Sequence, residues 1–179
     1  MLETILEVYE KILRLKELRR TGWMQRGIPE PESVASHSFA VTLLAVLLAD
    51  IRGLDPADAA RIALIHDLPE SVTGDLTPQM KKDLENFDEQ ERAAIKELAE
   101  KLPEPAASRI LNAWTRYQRR ADSVARLVRD ADKLEMGLQA LAYVEKGYRD
   151  ALEIYESALR EIEDEELKRL LREAGGHLT

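Results

Sequence analysis

Four residues able to bind a metal or move a proton follow one apolar segment, in IALIHDLPESVTGDLTP, residues 62–78. His66 and Asp67 end the apolar run, and Glu70 and Asp75 follow in the next turn and loop. Burying a charge costs free energy unless the charge is paired or coordinates a metal. This stretch therefore predicts a partner for its acids, which is either a basic side chain or a bound cation.

A second histidine is placed in the same way. His37 stands near the start of an apolar helical pattern and shares the face of Val41 and Leu44, while His66 ends the stripe of Ile62 and Ala63. A lone histidine on an apolar face is usually a hydrogen-bonded core residue. Two of them, with acids following the second, also suit Mn, Fe, Co, Ni or Zn with open positions for water. The residues alone leave both interpretations open.

Composition limits the classes of function. The chain has 179 residues, 26 Lys and Arg against 34 Asp and Glu, a net charge of −8 and no cysteine. Disulfides and thiolate zinc sites are excluded, and no basic run suggests a nucleic-acid partner. An anionic small substrate stays open, because a local metal or arginine outweighs global charge. The longest apolar run, residues 39–49, is too short to span a bilayer. With no signal-peptide pattern, we expect a cytoplasmic protein without a membrane partner.

The periodicity of apolar residues predicts an all-α fold in a single domain, residues 1–179. Breaks occur at the glycines and prolines of residues 21–32, at Gly53, and across residues 70–88, which we expect to be irregular. Asp55 followed by Pro56 is a typical helix start. Helices are expected at about 2–20, 33–51, 56–68, 89–102, 104–118, 120–147, 149–162 and 164–174.

His37, the His66-Asp67 pair and a later aspartate in VRDADKLE resemble the H…HD…D signature of HD-domain metal-dependent phosphohydrolases. LKELRRTGW, PESVASHS, ALIHDLPESVTGDLTP and VRDADKLEMGLQA occur in this order across residues 15–140. This set is similar to the single-metal 5′-deoxynucleotidase branch of the family. The resemblance implies a helical bundle with one HD domain, a motif core at about 15–140 and C-terminal helices at 149–174.

The resemblance also implies the metal ligands. They are His37, His66, Asp67 and Asp132, and they hold one divalent ion, which is Mn, Co, Fe, Ni, Zn or Mg. Periodicity does not choose between Asp130 and Asp132, since both flank the apolar stripe of their helix. The family pattern aligns with Asp132, which leaves Asp130 as a solvated or ion-pairing neighbour.

Glu70 and Asp75 are implied catalytic residues, and Arg20 and Trp23 are implied to hold the nucleotide. A carboxylate beside a metal-bound water can orient or deprotonate it, and a second acid can protonate the departing alkoxide. The sequence does not show which of the two acids performs which task. Each residue also has a structural explanation. Glu70 can be an acid at a helix start and Asp75 a turn residue. Arg20 can be a cation at a helix end and Trp23 a side chain that anchors a loop in the core. Relatives often carry an acid at the position of Ser36, which leaves hydrogen bonding to the substrate there open.

The implied reaction is hydrolysis of deoxynucleoside 5′-monophosphates to deoxynucleoside and phosphate by a homodimer. We expect an exposed apolar surface around Trp114, Tyr117, Tyr148 and Tyr155 to support that dimer. A pyrophosphohydrolase, a dNTP hydrolase or a phosphodiesterase is the alternative. Two-metal phosphodiesterases need further histidines between the HD pair and the last aspartate, and this chain offers only His177 near its end. A vestigial interaction protein ranks last, because every ligand position and both acids are present.

Overall fold

The fold consists of helices only over the part of the chain that the structure describes. The structure, a computed structural model, describes residues 2–176, with side chains from residue 4. His177 lies outside this range. The helices are α1 (Leu2–Glu17), α2 (Thr21–Met24), α3 (Val34–Arg52), α4 (Pro56–Ile65), α5 (Glu70–Thr73), α6 (Pro78–Asp83), α7 (Phe87–Glu100), α8 (Ala106–Arg119), α9 (Ser123–Glu145), α10 (Leu152–Glu161) and α11 (Glu165–Gly175), with a 3-10 turn at Arg149–Ala151 before α10. The all-α prediction is confirmed.

Local chemistry explains where the site-bearing helices begin and end. The Ser33 side chain accepts a hydrogen bond from the Ser36 amide at the start of α3, and Gly53 ends that helix with φ of 65°. Asp55 caps α4 by accepting from two backbone amides, with Pro56 at the first helical position. Asp122 caps α9 by accepting from the Ala125 amide. The starts of α3 and α4 match the sequence predictions, whereas α9 begins at Ser123 rather than at the predicted position of about 120.

Residues 70–88 are more regular than the sequence suggested. They contain the short helices α5 and α6, separated at Gly74 with φ of 82°. Thr77 caps α6 by accepting from the Met80 amide, and Pro78 occupies the first helical position. The prediction of an irregular segment was wrong there, because helices this short show no apolar periodicity in the sequence. Only their capping residues indicate them.

Helix α9 lies at the centre and packs against α3, α4, α8, α10 and α11. Small residues line the contacts among α3, α4 and α9, where Ala45, Ala49, Ala59, Ala63 and Ala131 are fully buried. Alanines allow helix backbones to approach closely, and a close-packed core leaves little freedom for sliding. This packing fixes the relative positions of the first turns of α3, the end of α4 and the middle of α9.

The surface differs from the expectation. Trp114 and Tyr117 are buried, and Tyr148 and Tyr155 are partly buried against the core. The prediction that these aromatic residues form an exposed apolar surface was wrong, because each packs in a hydrophobic cluster. Trp114 lies with residues of α7, and Tyr117 with residues of α3, α4 and α9. Tyr148 lies with residues of α9 and α10, and Tyr155 with residues of α9 to α11. Exposed large apolar side chains lie instead mainly on α1 and on the outer face of α3, the second of which is described below.

One helix within the described residues, α3, is long and apolar enough to cross a membrane by length and composition alone. Core helices of globular proteins satisfy the same criteria. The inner face of α3 packs in the core through Val41, Ala45 and Ala49, which are fully buried. Its apolar character is therefore accounted for in part by the core.

Candidate active site

Three helices bring a group of metal-binding atoms together. Ligand atoms of His37 on α3, His66 at the end of α4 and Asp132 on α9 all lie within 4.8 Å of one another, and all three residues are buried. Asp67 completes the group: its Oδ2 lies 3.2 Å from Nε2 of His66 and 3.7 Å from Nε2 of His37. The structure thus places all four predicted ligands at one point.

The two imidazoles are oriented by their outer nitrogens. Nδ1 of His66 donates to the carbonyl of Ala63 at 2.5 Å, and Nδ1 of His37 lies 2.6 Å from Oε2 of Glu135. A histidine that uses Nδ1–H in this way presents the lone pair of Nε2 to a metal. Both Nε2 atoms are buried, and neither has a hydrogen-bond partner among the residues that the structure describes. These atoms have the arrangement of ligands that face a cation.

The two oxygens of Asp132 have different surroundings. Oδ2 accepts a hydrogen bond from the hydroxyl of Tyr117 at 2.6 Å and lies 3.2 Å from Nζ of Lys133. Oδ1 lies 3.2 Å from Nε2 of His37, on the side of the other ligand atoms. Oδ1 is therefore the oxygen available to a metal, and Oδ2 is the oxygen that fixes the carboxylate in place.

The site carries an excess of negative charge. Burial and the Arg20 charge lower the pKa of His37, but the carboxylates of Asp132 and Glu135 outweigh them and raise it to about 10. Burial also acts on Asp132, yet Lys133 and the histidines hold its pKa well below the ordinary value. Carboxylates that stabilise a buried positive charge on His37 this strongly also favour a divalent cation at the same place. The residues present fit such an ion.

Arg20 stands beside this group. Its Nη1 lies 3.4 Å from Oδ2 of Asp67 and 3.5 Å from Oδ1 of Asp75. Burial lowers the pKa of Arg20, but Asp67 and Asp75 outweigh it and raise the pKa above its ordinary value. Asp75 is fixed in turn by α2, since its Oδ2 accepts from the amide of Thr21 at 2.6 Å. The predicted substrate arginine therefore faces the predicted metal site.

Glu70 lies at the start of α5 and borders the cavity of about 350 Å³ that also contains His66, Asp67 and Asp132. Its side chain is buried, and Oε2 has no hydrogen-bond partner among the described residues. Burial, followed by the charges of Asp67 and Asp75, raises the pKa of Glu70 well above the ordinary value. A carboxyl group in this setting is suited to accept and release a proton.

Trp23 is almost fully buried. Its indole N–H donates to Oε1 of Glu32 at 3.0 Å, and its ring packs edge-on against Tyr143 with centroids 5.0 Å apart. Together with Arg20 it also borders a second cavity of about 500 Å³, between α2, the loop after α5, and α10. Its position suits an apolar wall, since the N–H group is used inside the protein.

Comparison with known proteins agrees with this geometry. Residues 12–174 match the HD domain family. The chain belongs to the HD domain family. It is 33% identical over 143 residues to 5′-deoxynucleotidase HDDC2 of Xenopus laevis, covering 80% of this chain and 71% of that protein. It is 35% identical over 161 residues to 5′-deoxynucleotidase YGK1 of Saccharomyces cerevisiae, covering 87% and 74%. Among solved structures, it matches the PH0347 protein of Pyrococcus horikoshii OT3 with TM-score 0.80, 33% identity and 98% of both chains covered.

Several residues of this HD domain site were missed from the sequence. Glu135 and Tyr117 hold His37 and Asp132, and Lys133 pairs with Asp132. Glu135 lies one helical turn after Asp132, so the spacing in DKLE could have placed it beside the ligands. Tyr117 comes from another helix, and nothing local in the sequence connects it to the site.

Asp130 has a role different from the one expected. It is buried rather than solvated, and its two oxygens accept from the backbone amides of Glu163 at 2.8 Å and Asp164 at 3.1 Å. Two residues of separation on a helix direct Asp130 and Asp132 to different faces. Asp130 therefore fixes the start of α11, whereas Asp132 faces the other ligands.

Proposed function

We propose that this protein is a metal-dependent 5′-deoxynucleotidase, which hydrolyses deoxynucleoside 5′-monophosphates to a deoxynucleoside and phosphate. The carrying observation is the convergence of two buried, unpartnered imidazole nitrogens with the carboxylates of Asp67 and Asp132, beside the guanidinium of Arg20. The names of the frog and yeast relatives support the same reaction.

One divalent ion held by His37, His66, Asp67 and Asp132 would lower the pKa of a bound water and stabilise charge on the phosphoryl group. Arg20 binds the phosphate, because its planar fork of N–H groups matches two phosphate oxygens. Asp67 and Asp75 hold this guanidinium at the edge of the metal group. Positioning of this kind accounts for much of the catalysis of phosphoryl transfer.

The geometry supports different tasks for the two catalytic acids. Glu70 has an unpartnered oxygen and borders only the smaller cavity, so it can take the proton of the attacking water. Asp75 borders both cavities and is engaged by Thr21 and Arg20. We assign proton transfer at the water to Glu70 and the positioning of Arg20 to Asp75.

The larger cavity accommodates the nucleoside. Its volume of about 500 Å³ falls within the range of ordinary small-molecule pockets. Trp23, Ile154 and Met136 supply apolar wall, and Gln25 and Gln79 supply amide groups at its border. Charged side chains also border this cavity, and several of them pair with one another, Arg26 with Glu153 and Arg160 with Glu156. We infer loose base preference from this mixed lining.

A phosphate-release screen tests the proposal. The protein is stripped of metal with a chelator, reloaded with Mn, Co, Zn or Mg, and given ribo- and deoxynucleoside mono-, di- and triphosphates. We expect metal-dependent phosphate release from deoxynucleoside monophosphates, with weaker action on ribonucleotides. Release of pyrophosphate or triphosphate from dNTPs at comparable efficiency would contradict the proposal and favour another HD-family nucleotide phosphohydrolase.

We further propose a cytoplasmic homodimer without a nucleic-acid or membrane partner. Mononucleotides are intracellular metabolites, which supports the location, and the net charge of −8 argues against binding to a polyphosphate backbone. The exposed apolar face of α3 supports self-association, since closed two-fold pairing is the commonest assembly of soluble proteins. Cell fractionation and light scattering test these points.

A further inference from the structure

Lys133 occupies a junction in the site that the reaction outlined above does not use. Its side chain is 15% exposed, and its Nζ lies 3.2 Å from Oδ2 of Asp132 and 3.6 Å from Oε2 of Glu161. An ammonium group has three N–H donors. The third is near Sδ of Met136 at 3.8 Å, and a thioether is a weak acceptor that a substrate oxygen can replace.

The junction separates two cavities. Glu70 and His66 border only the smaller one, which contains the metal-binding group. Trp23 borders only the larger one, whereas Lys133 and Met136 border both. A phosphate beside the metal group and a nucleoside in the larger cavity place the bond between phosphorus and the 5′-oxygen at this boundary. The attacking water and the leaving oxygen then lie on opposite sides, as in-line displacement requires.

Resting on the proposed function, we propose that Lys133 binds the departing 5′-oxygen and stabilises its developing negative charge. A bond forms between the water oxygen and phosphorus while the bond from phosphorus to the 5′-oxygen breaks, and its electron pair stays on that oxygen. The proton of the water passes to Glu70 and then to solvent. The 5′-oxygen, held by an N–H of Lys133, takes a proton from water in the larger cavity.

Other residues at the boundary are less suited to this task. Arg20 is engaged by Asp67 and Asp75 and is assigned to the non-bridging phosphate oxygens. Asp75 would repel a developing alkoxide when ionised, and its Oδ2 is occupied by the Thr21 amide. A fixed cation aimed at the site of developing charge is the efficient electrostatic arrangement. The competing explanation is that Lys133 only neutralises Asp132.

Two substrates distinguish these explanations. A deoxynucleoside 5′-monophosphate leaves as an alkoxide that needs stabilisation, whereas p-nitrophenyl phosphate leaves as a phenolate that delocalises its own charge. For Lys133→Met we expect kcat on the nucleotide to fall about 10²- to 10³-fold, in line with loss of one electrostatic donor. On p-nitrophenyl phosphate we expect a loss under about 10-fold. Lys133→Arg should restore a large part of the nucleotide activity at unchanged metal content.

Lys96→Met is the matched control, because Lys96 is exposed on α7 and forms its ion pair, within the described part of the chain, with Glu100 of the same helix. It should match wild type on both substrates. Equal losses on the two substrates in Lys133→Met, or loss of metal, would overturn the proposal and leave Lys133 as a partner of Asp132. A leaving-group-dependent loss in Asp75→Asn but not in Lys133→Met would overturn it in favour of Asp75. Wild-type protein inactive on every monophosphate would overturn the proposed function itself.

Discussion

In each of three predicted metal ligands, contacts with neighbouring groups leave one particular atom facing the site. His66 and His37 present Nε2 because Nδ1 is held by the Ala63 carbonyl and by Glu135, and Asp132 presents Oδ1 because Tyr117 and Lys133 hold Oδ2. Such outer contacts fix ligand orientation and tautomer. Substituting a ligand should therefore abolish metal binding, whereas substituting a residue that orients a ligand should only weaken it.

The aspartates of VRDADKLE provide a matched pair of variants. Asp132→Ala should abolish metal binding and hydrolysis, as should His66→Ala or Asp67→Ala, because an incomplete ligand set neither holds nor orients the ion. Asp130→Ala should keep the metal and lower the free energy of unfolding by about 1–3 kcal/mol, since two partly buried backbone amides lose the buried carboxylate that accepts from them. Elemental analysis and urea unfolding of both variants give the result. Stoichiometric metal and normal turnover in Asp132→Ala would refute the ligand set.

Glu135 should control the affinity for metal without being a ligand. Glu135→Gln keeps an oxygen acceptor for Nδ1 of His37 but removes the charge, so we expect metal affinity to fall about 10- to 100-fold. Glu135→Leu removes the acceptor as well and should cost more. Titration against a chelating dye measures both. Unchanged affinity in the Leu variant would show that the Nδ1 contact has no influence on the metal.

Glu70 and Asp75 should affect turnover while sparing the metal. Glu70→Ala removes the unpartnered buried oxygen and should reduce kcat about 10²- to 10⁴-fold, the usual contribution of general acid–base catalysis. Asp75→Ala frees Arg20 and should raise KM for the nucleotide as well as lowering kcat. Metal content and steady-state kinetics are measured on the same samples. A loss of metal in proportion to activity would make the residue concerned a ligand.

At the scale of helices, periodicity and capping residues were sufficient to predict the positions of the long helices. The starts at Ser33 and Asp55 and the stop at Gly53 predicted α3 and α4, and periodicity alone predicted α9. Helices α5 and α6 were missed because they are shorter than a periodic signal. Contacts between helices could not be predicted either, because a single sequence does not show which helices pack together. The hydrogen bond from the Tyr117 hydroxyl to Asp132 is an example.

Arg116 connects three of these helices. Its guanidinium forms a bidentate pair with Asp58 of α4 at 2.9 and 2.6 Å, and its Nε donates to Asp122, the cap of α9, at 2.7 Å. Arg116→Met should lower the free energy of unfolding by about 1–3 kcal/mol, because charge-assisted bonds at both partners are lost. Arg119→Met, at the exposed end of the same helix, should change it by less than about 0.5 kcal/mol. Equal stability of the two variants would contradict a bridging role for Arg116.

At the scale of the whole molecule, the sequence could not determine which apolar residues stay uncovered. Trp114 and Tyr117 looked like surplus apolar surface but lie under neighbouring helices. The side chains that remain uncovered include Phe39, Leu43, Leu47 and Ile51, which are 71%, 51%, 49% and 79% exposed. They repeat every four residues along α3, opposite its buried face, so they form one continuous stripe. An exposed apolar stripe of this length marks an interaction surface.

The α3 stripe (Phe39, Leu43, Leu47 and Ile51) should be the interface of a homodimer. Two copies of one helix face are self-complementary across a two-fold axis, so the same stripe can cover itself. Light scattering at micromolar concentration should give about twice the chain mass of 20.3 kDa. The double variant Leu43→Glu/Leu47→Glu should be a monomer with unchanged metal content, because like charges then oppose each other across the axis. Leu170→Glu changes an equally exposed leucine on α11 and should remain a dimer. A wild-type monomer would refute the dimer, and a dimeric double variant would move its interface away from α3.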